Sequence, residues 1–290
     1  MRRFVCLLLL LNCMFVTVSR AQVRFPFPQI PAMITDQQGR LAYMLEHFWD
    51  NYHFNDTTKA NQDVAEQGVS DFVNLMQYAD SSLARRAADQ FVSKAFATQW
   101  GRSHYEGLLD HYLANPESPL RNDVVFSHLL RSMIENYPKD DVRRSRLQYR
   151  LHLVTKNQPG TKATDFNFET RQGKRSSLHK VQSPYTLLIF NDPECEHCHE
   201  IMPKLIATPA LQDKRLKVLT VYPDTNTSLW KKSPRNLPAN WIDVCSPQGE
   251  VMEKQLYHLP AMPSLYLLDE QKRVLVKDGT IDAVIQKLKE

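Results

Sequence analysis

The chain has 290 residues, 42% hydrophobic and 23% charged, the composition of a globular protein with room for two domains. Its formal charge of +4 leans on Arg2, Arg3 and Arg20; without them Lys and Arg fall from 36 to 33, against 32 acids. So even a balance excludes nucleic-acid or acidic-membrane binding built on bulk charge.

Arg2 and Arg3 precede an apolar run from Phe4 to Val18, and Ser19-Arg20-Ala21 places small residues three and one positions before a cut. This predicts a Sec-type signal peptide over residues 1–21, and hence export to the periplasm ahead of secretion or lipid anchoring. An uncleaved anchor is the alternative, but the run is short for a span. Cys13 follows Asn12, a poor residue before a lipidated cysteine, and no other segment reads as able to cross a membrane. Cleavage removes Cys6 and Cys13 and leaves Cys195, Cys198 and Cys245. Three cysteines make no disulfide scaffold, whereas a lone close pair in an oxidising compartment points to redox work.

Residues 22–35 are proline-marked (Pro26, Pro28, Pro31) and read as an extended tether. From residue 36 to about 155 the periodicity is helical. Leu41, Met44, Leu45, Phe48, Trp49 and Tyr52 form one apolar stripe, with Asp36 placed to cap it. Val69, Phe72, Val73 and Met76 form a second, and further stripes run through Phe91 and Ala95, through Tyr105, Leu108, Leu109 and Tyr112, and through Phe126 to Ile134. Asn122 or Asp123 is placed to cap the last of these. Arg143, Arg144 and Arg146 read as a solvated helix face. The first domain is therefore an all-α bundle.

Lys156 to Gly160 marks a break, and residues 156–290 read as an α/β domain. Strands are expected at Tyr185 to Phe190, Leu216 to Tyr222, Ser264 to Leu268 and Arg273 to Val276, with Trp241 to Cys245 as an edge strand or loop. Helices are expected around the cysteine pair, from about Glu250 to His258, and from Ile281 onward.

Cys195 and Cys198 stand two residues apart, just after a buried strand and at a helix start. Unpaired N–H groups and the helix dipole there stabilise a thiolate, which makes Cys195 the nucleophile. Cys198, about one turn on, is placed to resolve the mixed disulfide. Cys195 to His199 also spells the C-x-x-C-H haem attachment signature, but in β-rich surroundings foreign to a small cytochrome. Structural zinc would need a second cysteine pair. A peroxiredoxin would need Thr three and Pro seven positions before its cysteine, where this chain has Asp192 and Leu188. No cofactor and no metal are expected.

With the pair flanked by Pro203 and by Met262-Pro263, residues 162–290 resemble the thioredoxin-like family, in its TlpA/ResA-type branch. Ala163 to Phe166, Gly173-Lys174 and Leu178 resemble that branch's N-terminal hairpin. The resemblance implies a kinking role for Pro203 in the active-site helix. It also implies a cis peptide at Met262-Pro263 that packs on the cysteine pair and binds substrate backbone. Residues from His47 to Asp50 and from His111 through Pro116 to Asn122 resemble a helical domain of unknown function found ahead of thioredoxin-like domains in exported Gram-negative proteins. His47 and His111 read as packing or surface residues.

The family's buried acid, six residues before the first cysteine, is replaced here by Ile189, and its aromatic neighbour by Glu194. Asp192, Glu194, Glu196 and Glu200 are the acids within reach, each read as a turn or helix-start residue. Glu196 and His197, between the cysteines, are candidate tuning residues. A protonated His197 would favour the thiolate, but an ordinary imidazole is mostly neutral at pH 7 and four carboxylates oppose it. The chain thus reads as a periplasmic thiol–disulfide oxidoreductase acting on protein disulfides as reductant or isomerase, with a redox partner protein. The alternative is a partner-binding protein that uses the helical domain and keeps the second domain as scaffold. Cys245, the odd cysteine, reads as buried and inert.

Overall fold

The computed structural model describes residues 24–233 and 237–290. The expected signal peptide, with Cys6 and Cys13, lies outside the described residues. Among those residues no helix is long and apolar enough to cross a membrane.

Among the described residues six α-helices come first: α1 (Gln37–His47), α2 (Lys59–Met76), α3 (Ser81–Ala95), α4 (Gln99–Leu109), α5 (Asp123–Asn136) and α6 (Arg143–Val154). Side-chain oxygens that accept first-turn amides start several of them: Asp36 takes the Gly39 N–H at 2.7 Å, Asp80 serves α3, and Asn122 rather than Asp123 serves α5. α1 stops at His47, so Phe48, Trp49 and Tyr52 lie in the turn beyond it yet stay buried. Their rings pack into an aromatic centre, Phe48 against Phe72 at 5.2 Å and Trp49 against Phe91 at 4.9 Å.

Two expectations need correction here. The extended segment is no tether from residue 25 onward: Phe25 is 3% exposed, with its ring 4.9 Å from that of Phe48. Its place exists because α2 has no side chain at Gly68, where an added Cβ would stand 2.3 Å from the Phe25 ring. Nor is the arginine run simply solvated. Arg144 donates to the carbonyls of Ile134 and Tyr137, and Arg146 reaches the buried carboxylate of Glu106. A carboxylate left alone in that core would be costly, so an arginine from the neighbouring helix answers it.

The α/β half is a seven-stranded sheet of order β2-β1-β5-β4-β3-β6-β7. Its strands are β1 (Asn167–Thr170), β2 (Arg175–Ser177), β3 (Tyr185–Phe190), β4 (Leu216–Tyr222), β5 (Trp241–Cys245), β6 (Ser264–Leu268) and β7 (Val274–Lys277). β3, β4 and β5 run parallel; β6, β7 and the β1–β2 hairpin are antiparallel to their neighbours. β5 is thus interior, between β1 and β4, and not an edge. The hairpin supplies the missing partner, pairing Glu169 with Cys245 and Thr170 with Val244.

Side chains alternate between the faces of β3. Leu187 and Ile189 meet α7 (Glu196–Ala207) and α10 (Ile281–Lys289) through Met202, Leu205, Val284 and Leu288. Leu188 and Phe190 face Phe166, Tyr257 and Tyr266 on the other side. Among the described residues the domain also has two short α-helices, α8 (Thr227–Lys232) and α9 (Glu250–Glu253). The helix expected from Glu250 to His258 therefore ends at Glu253. Gln255 has a positive φ of 48°, which breaks the helix and turns Tyr257 into the core.

The break between the halves is held rather than loose. Asn157 donates to the Leu256 carbonyl at 2.9 Å and accepts the Thr164 N–H at 2.8 Å. Gly160, at φ 83°, donates to the Val274 carbonyl at 2.8 Å.

Candidate active site

β3 delivers the chain to a turn closed by Asp192, whose carbonyl accepts the Cys195 N–H at 3.2 Å and whose carboxylate accepts the Glu194 N–H at 2.8 Å. Cys195 then caps α7: its sulfur accepts the Cys198 N–H at 3.2 Å. A capping position normally filled by an oxygen is here filled by sulfur. The amide thereby directs a partial positive charge at the thiol, as favours an anion. Cys195 is half-buried, while Cys198, one turn into the helix, is 0% exposed. That asymmetry suits an outer nucleophile and an inner resolving thiol. Pro203 lies inside α7.

Opposite the pair, the Met262–Pro263 peptide is cis, as the resemblance implies. The Met262 carbonyl accepts from the Cys195 sulfur at 3.4 Å. The loop before β6 therefore touches the Cys195 sulfur through its backbone. Met262 and Pro263 come together with Cys195 in space although 67 residues separate Cys195 from Met262 in sequence.

The candidate tuning residues are less engaged. His197 is exposed, its side chain 63% accessible, with Nδ1 3.8 Å from Glu200. Glu196, Glu194 and Glu200 are exposed as well. His199, which completes the haem-like spelling, donates from Nε2 to the Pro193 carbonyl and so closes the turn.

Ile189 is wholly buried where the resemblance led one to look for an acid. A polar group stands one strand over. Thr220 is in register with Ile189 on parallel β4 and donates to Asp243 Oδ1 at 2.8 Å, while Arg171 holds Oδ2 at 2.6 Å. Tyr222 is a second residue that sequence reasoning missed. Burial first, then the charges of Asp192, Asp224 and Glu194, push its phenol up to about 12. Neither carries a local motif; only the register of β4 against β3 and β5 reveals them. Cys245 is 1% exposed, and burial first, then the Glu169 carboxylate, pushes its thiol up to about 11.

Comparison with known proteins places this geometry. A domain of unknown function (DUF5106) matches residues 12–157, and the AhpC/TSA family matches residues 159–277. A thioredoxin-like protein from Bacteroides caccae is 31% identical over 91% of this chain and 98% of its own, with a TM-score of 0.84. The C-terminal domain of an uncharacterized protein from Bacteroides fragilis is 38% identical over 46% of this chain and 99% of its own, with a TM-score of 0.44. A domain of a possible thiol-disulfide isomerase from Cytophaga hutchinsonii is 26% identical over 46% of this chain and 92% of its own, with a TM-score of 0.38. No curated protein matches.

Proposed function

Because this chain belongs to the thioredoxin-like proteins in which a DUF5106 domain precedes an AhpC/TSA-family domain, we propose that it is a periplasmic thiol–disulfide oxidoreductase whose working groups are Cys195 and Cys198. The observation that carries this reading is a half-buried Cys195 at the start of α7, facing the Met262 carbonyl, with Cys198 buried behind it.

The thiolate of Cys195 attacks one sulfur of a substrate disulfide, and the departing sulfur leaves as a thiolate that takes up a proton. Cys198 loses its proton and attacks the Cys195 sulfur of the mixed disulfide. The substrate departs as a dithiol, and the protein is left with a Cys195–Cys198 disulfide. A dithiol partner protein returns the two electrons. The backbone of Met262-Pro263 receives the substrate strand beside the attacked sulfur. Glu196 and His197 sit on the exposed turn between the cysteines and act on the couple only through screened charge. A strong oxidant needs a heavily stabilised reduced thiolate, so reductant or isomerase is the favoured direction. The near-even charge left once residues 1–21 are set aside, together with the exposed helix start, suits protein substrates rather than nucleic acid. The apolar N-terminal run supports export. Peroxide chemistry is not carried over with the AhpC/TSA match. Its proline and threonine positions hold Leu188, in the middle of β3, and Asp192, engaged in the turn.

The test is insulin disulfide reduction by dithiothreitol with the mature protein. Wild type accelerates it and Cys195→Ser does not, while Cys198→Ser accumulates mixed disulfides with its partners. Wild-type activity no higher than that of Cys195→Ser would favour the partner-binding reading instead.

A further inference from the structure

The loop that carries Met262 and Pro263 is tied at both ends to the helical domain. At its start, His258 Nδ1 donates to Asp123 Oδ2 at 2.8 Å, and the Tyr266 hydroxyl donates to the His258 carbonyl at 2.9 Å. At its end, Ser264, the residue after Pro263, is 0% exposed and donates to Asp278 Oδ1 at 2.7 Å. The other oxygen of Asp278 is held by Arg121. Arg121 and Asp123 lie in and just after the proline-marked stretch from Pro116 to Asn122, which the redox chemistry leaves without a role. Lys277 completes the cluster, with Nζ 2.9 Å from Asp123 Oδ2.

These are buried charges: the Asp278 and Asp123 side chains are each 8% exposed. Burial pushes the Asp278 carboxyl up against the opposing pull of Arg121 and Ser264. Burial also acts on Asp123, but the His258 hydrogen bond and the Lys277 charge outweigh it and bring that carboxyl down. Removing one partner from such a cluster strands a charge, so its geometry is held tightly. The two halves close over it and leave a cavity of only about 70 Å³, lined by Arg121, Asp123, His258 and Pro260 among others.

We propose that the helical domain is a positioning element of the redox site: Arg121, through Asp278 and Ser264, and Asp123, through His258, fix the cis-proline loop so that the Met262 carbonyl meets the Cys195 sulfur and the substrate strand finds its place. This rests on the redox reading of Cys195 and Cys198. Arg121, Asp123 and Asp278 act through the loop. The domain of unknown function thereby acquires a role within its own chain.

The test uses full-length mature protein. Arg121→Met should raise KM for insulin about fivefold or more while kcat stays within twofold. The rate of Cys195 alkylation by iodoacetamide at pH 7, followed by peptide mass, should change threefold or more. Arg121→Lys, which keeps the charge, should recover both. Protection of Cys245 in the same samples shows that the redox domain is folded. With Cys245 protected, KM and alkylation within twofold of wild type would overturn the proposal. If Arg121→Met exposes Cys245, Ser264→Ala removes only the hydroxyl that meets Asp278 and is scored by the same two readouts, with the same outcome overturning. An inactive wild type would sink the redox reading, and the alkylation rates would still decide the positioning role.

Discussion

At pH 8 a thiol pushed up to about 11, as Cys245 is, holds roughly one thiolate per thousand molecules. Cys245 is also 1% exposed, so the ionised fraction has no path to a reagent. Native protein should therefore leave Cys245 unlabelled by iodoacetamide until denaturant is added, and Cys245→Ala should keep insulin turnover within about twofold of wild type. Fast labelling in the folded state, or a disulfide from Cys245 to Cys195, would make it part of a relay. His197 stands at the opposite extreme. Its imidazole is mostly exposed and 3.8 Å from a carboxylate, so its effect on the Cys195–Cys198 couple is screened. His197→Ala should make the protein more reducing by at most about 20 mV in a redox titration, the size of a surface interaction. A larger shift would mean that the imidazole reaches the sulfur.

Elements explain which residues were legible beforehand. The cysteine pair, Pro203 and the strand from Tyr185 to Phe190 are local patterns, and a strand running into a helix start leaves a linear trace. Ion pairs such as Arg121 with Asp278 join positions 157 residues apart and leave none. Trp241 to Cys245 read as an edge strand or loop because the sequence does not say that the β1–β2 hairpin will fold back beside it. Phe25 was hidden for a similar reason: its socket is an absence, the bare face of Gly68. Gly68→Ala should displace the Phe25 ring and cost about 1–3 kcal/mol, measured by urea unfolding.

At the start of α5, Asp123 makes a signed prediction. Its native carboxyl lies below the unfolded value of 3.8, so on acidification the unfolded chain binds its proton first. The stability it contributes is present above about pH 4 and is lost as pH falls through the native value. Asp278, just after β7, has the opposite sign: its native carboxyl is raised, so its contribution improves as pH falls toward 4. Urea midpoints at pH 6 and pH 3 should accordingly lie closer together in Asp123→Asn than in wild type, and farther apart in Asp278→Asn.

For the whole molecule, the buried pairs between the halves should make unfolding a single event. Removing one member of such a pair costs about 3–5 kcal/mol. Arg121→Met should therefore lower the calorimetric midpoint and split the one transition into two, with the helical half melting apart from the sheet. A single transition at an unchanged midpoint would show that the halves are coupled elsewhere. Lys277 takes part in that seal in one more way. Its ammonium donates to the carbonyls of Val154 and Lys156, at 2.5 and 2.7 Å, and so finishes the last turn of α6 from a strand of the other domain. The helical half therefore is not portable. Grafted onto a foreign redox domain without a lysine at that place, it would carry a buried Asp123 stripped of its ammonium partner and a Lys156 carbonyl stripped of its donor. A working chimera has to import β7 along with the bundle, and natural shuffling of these two units is expected to move them as one piece.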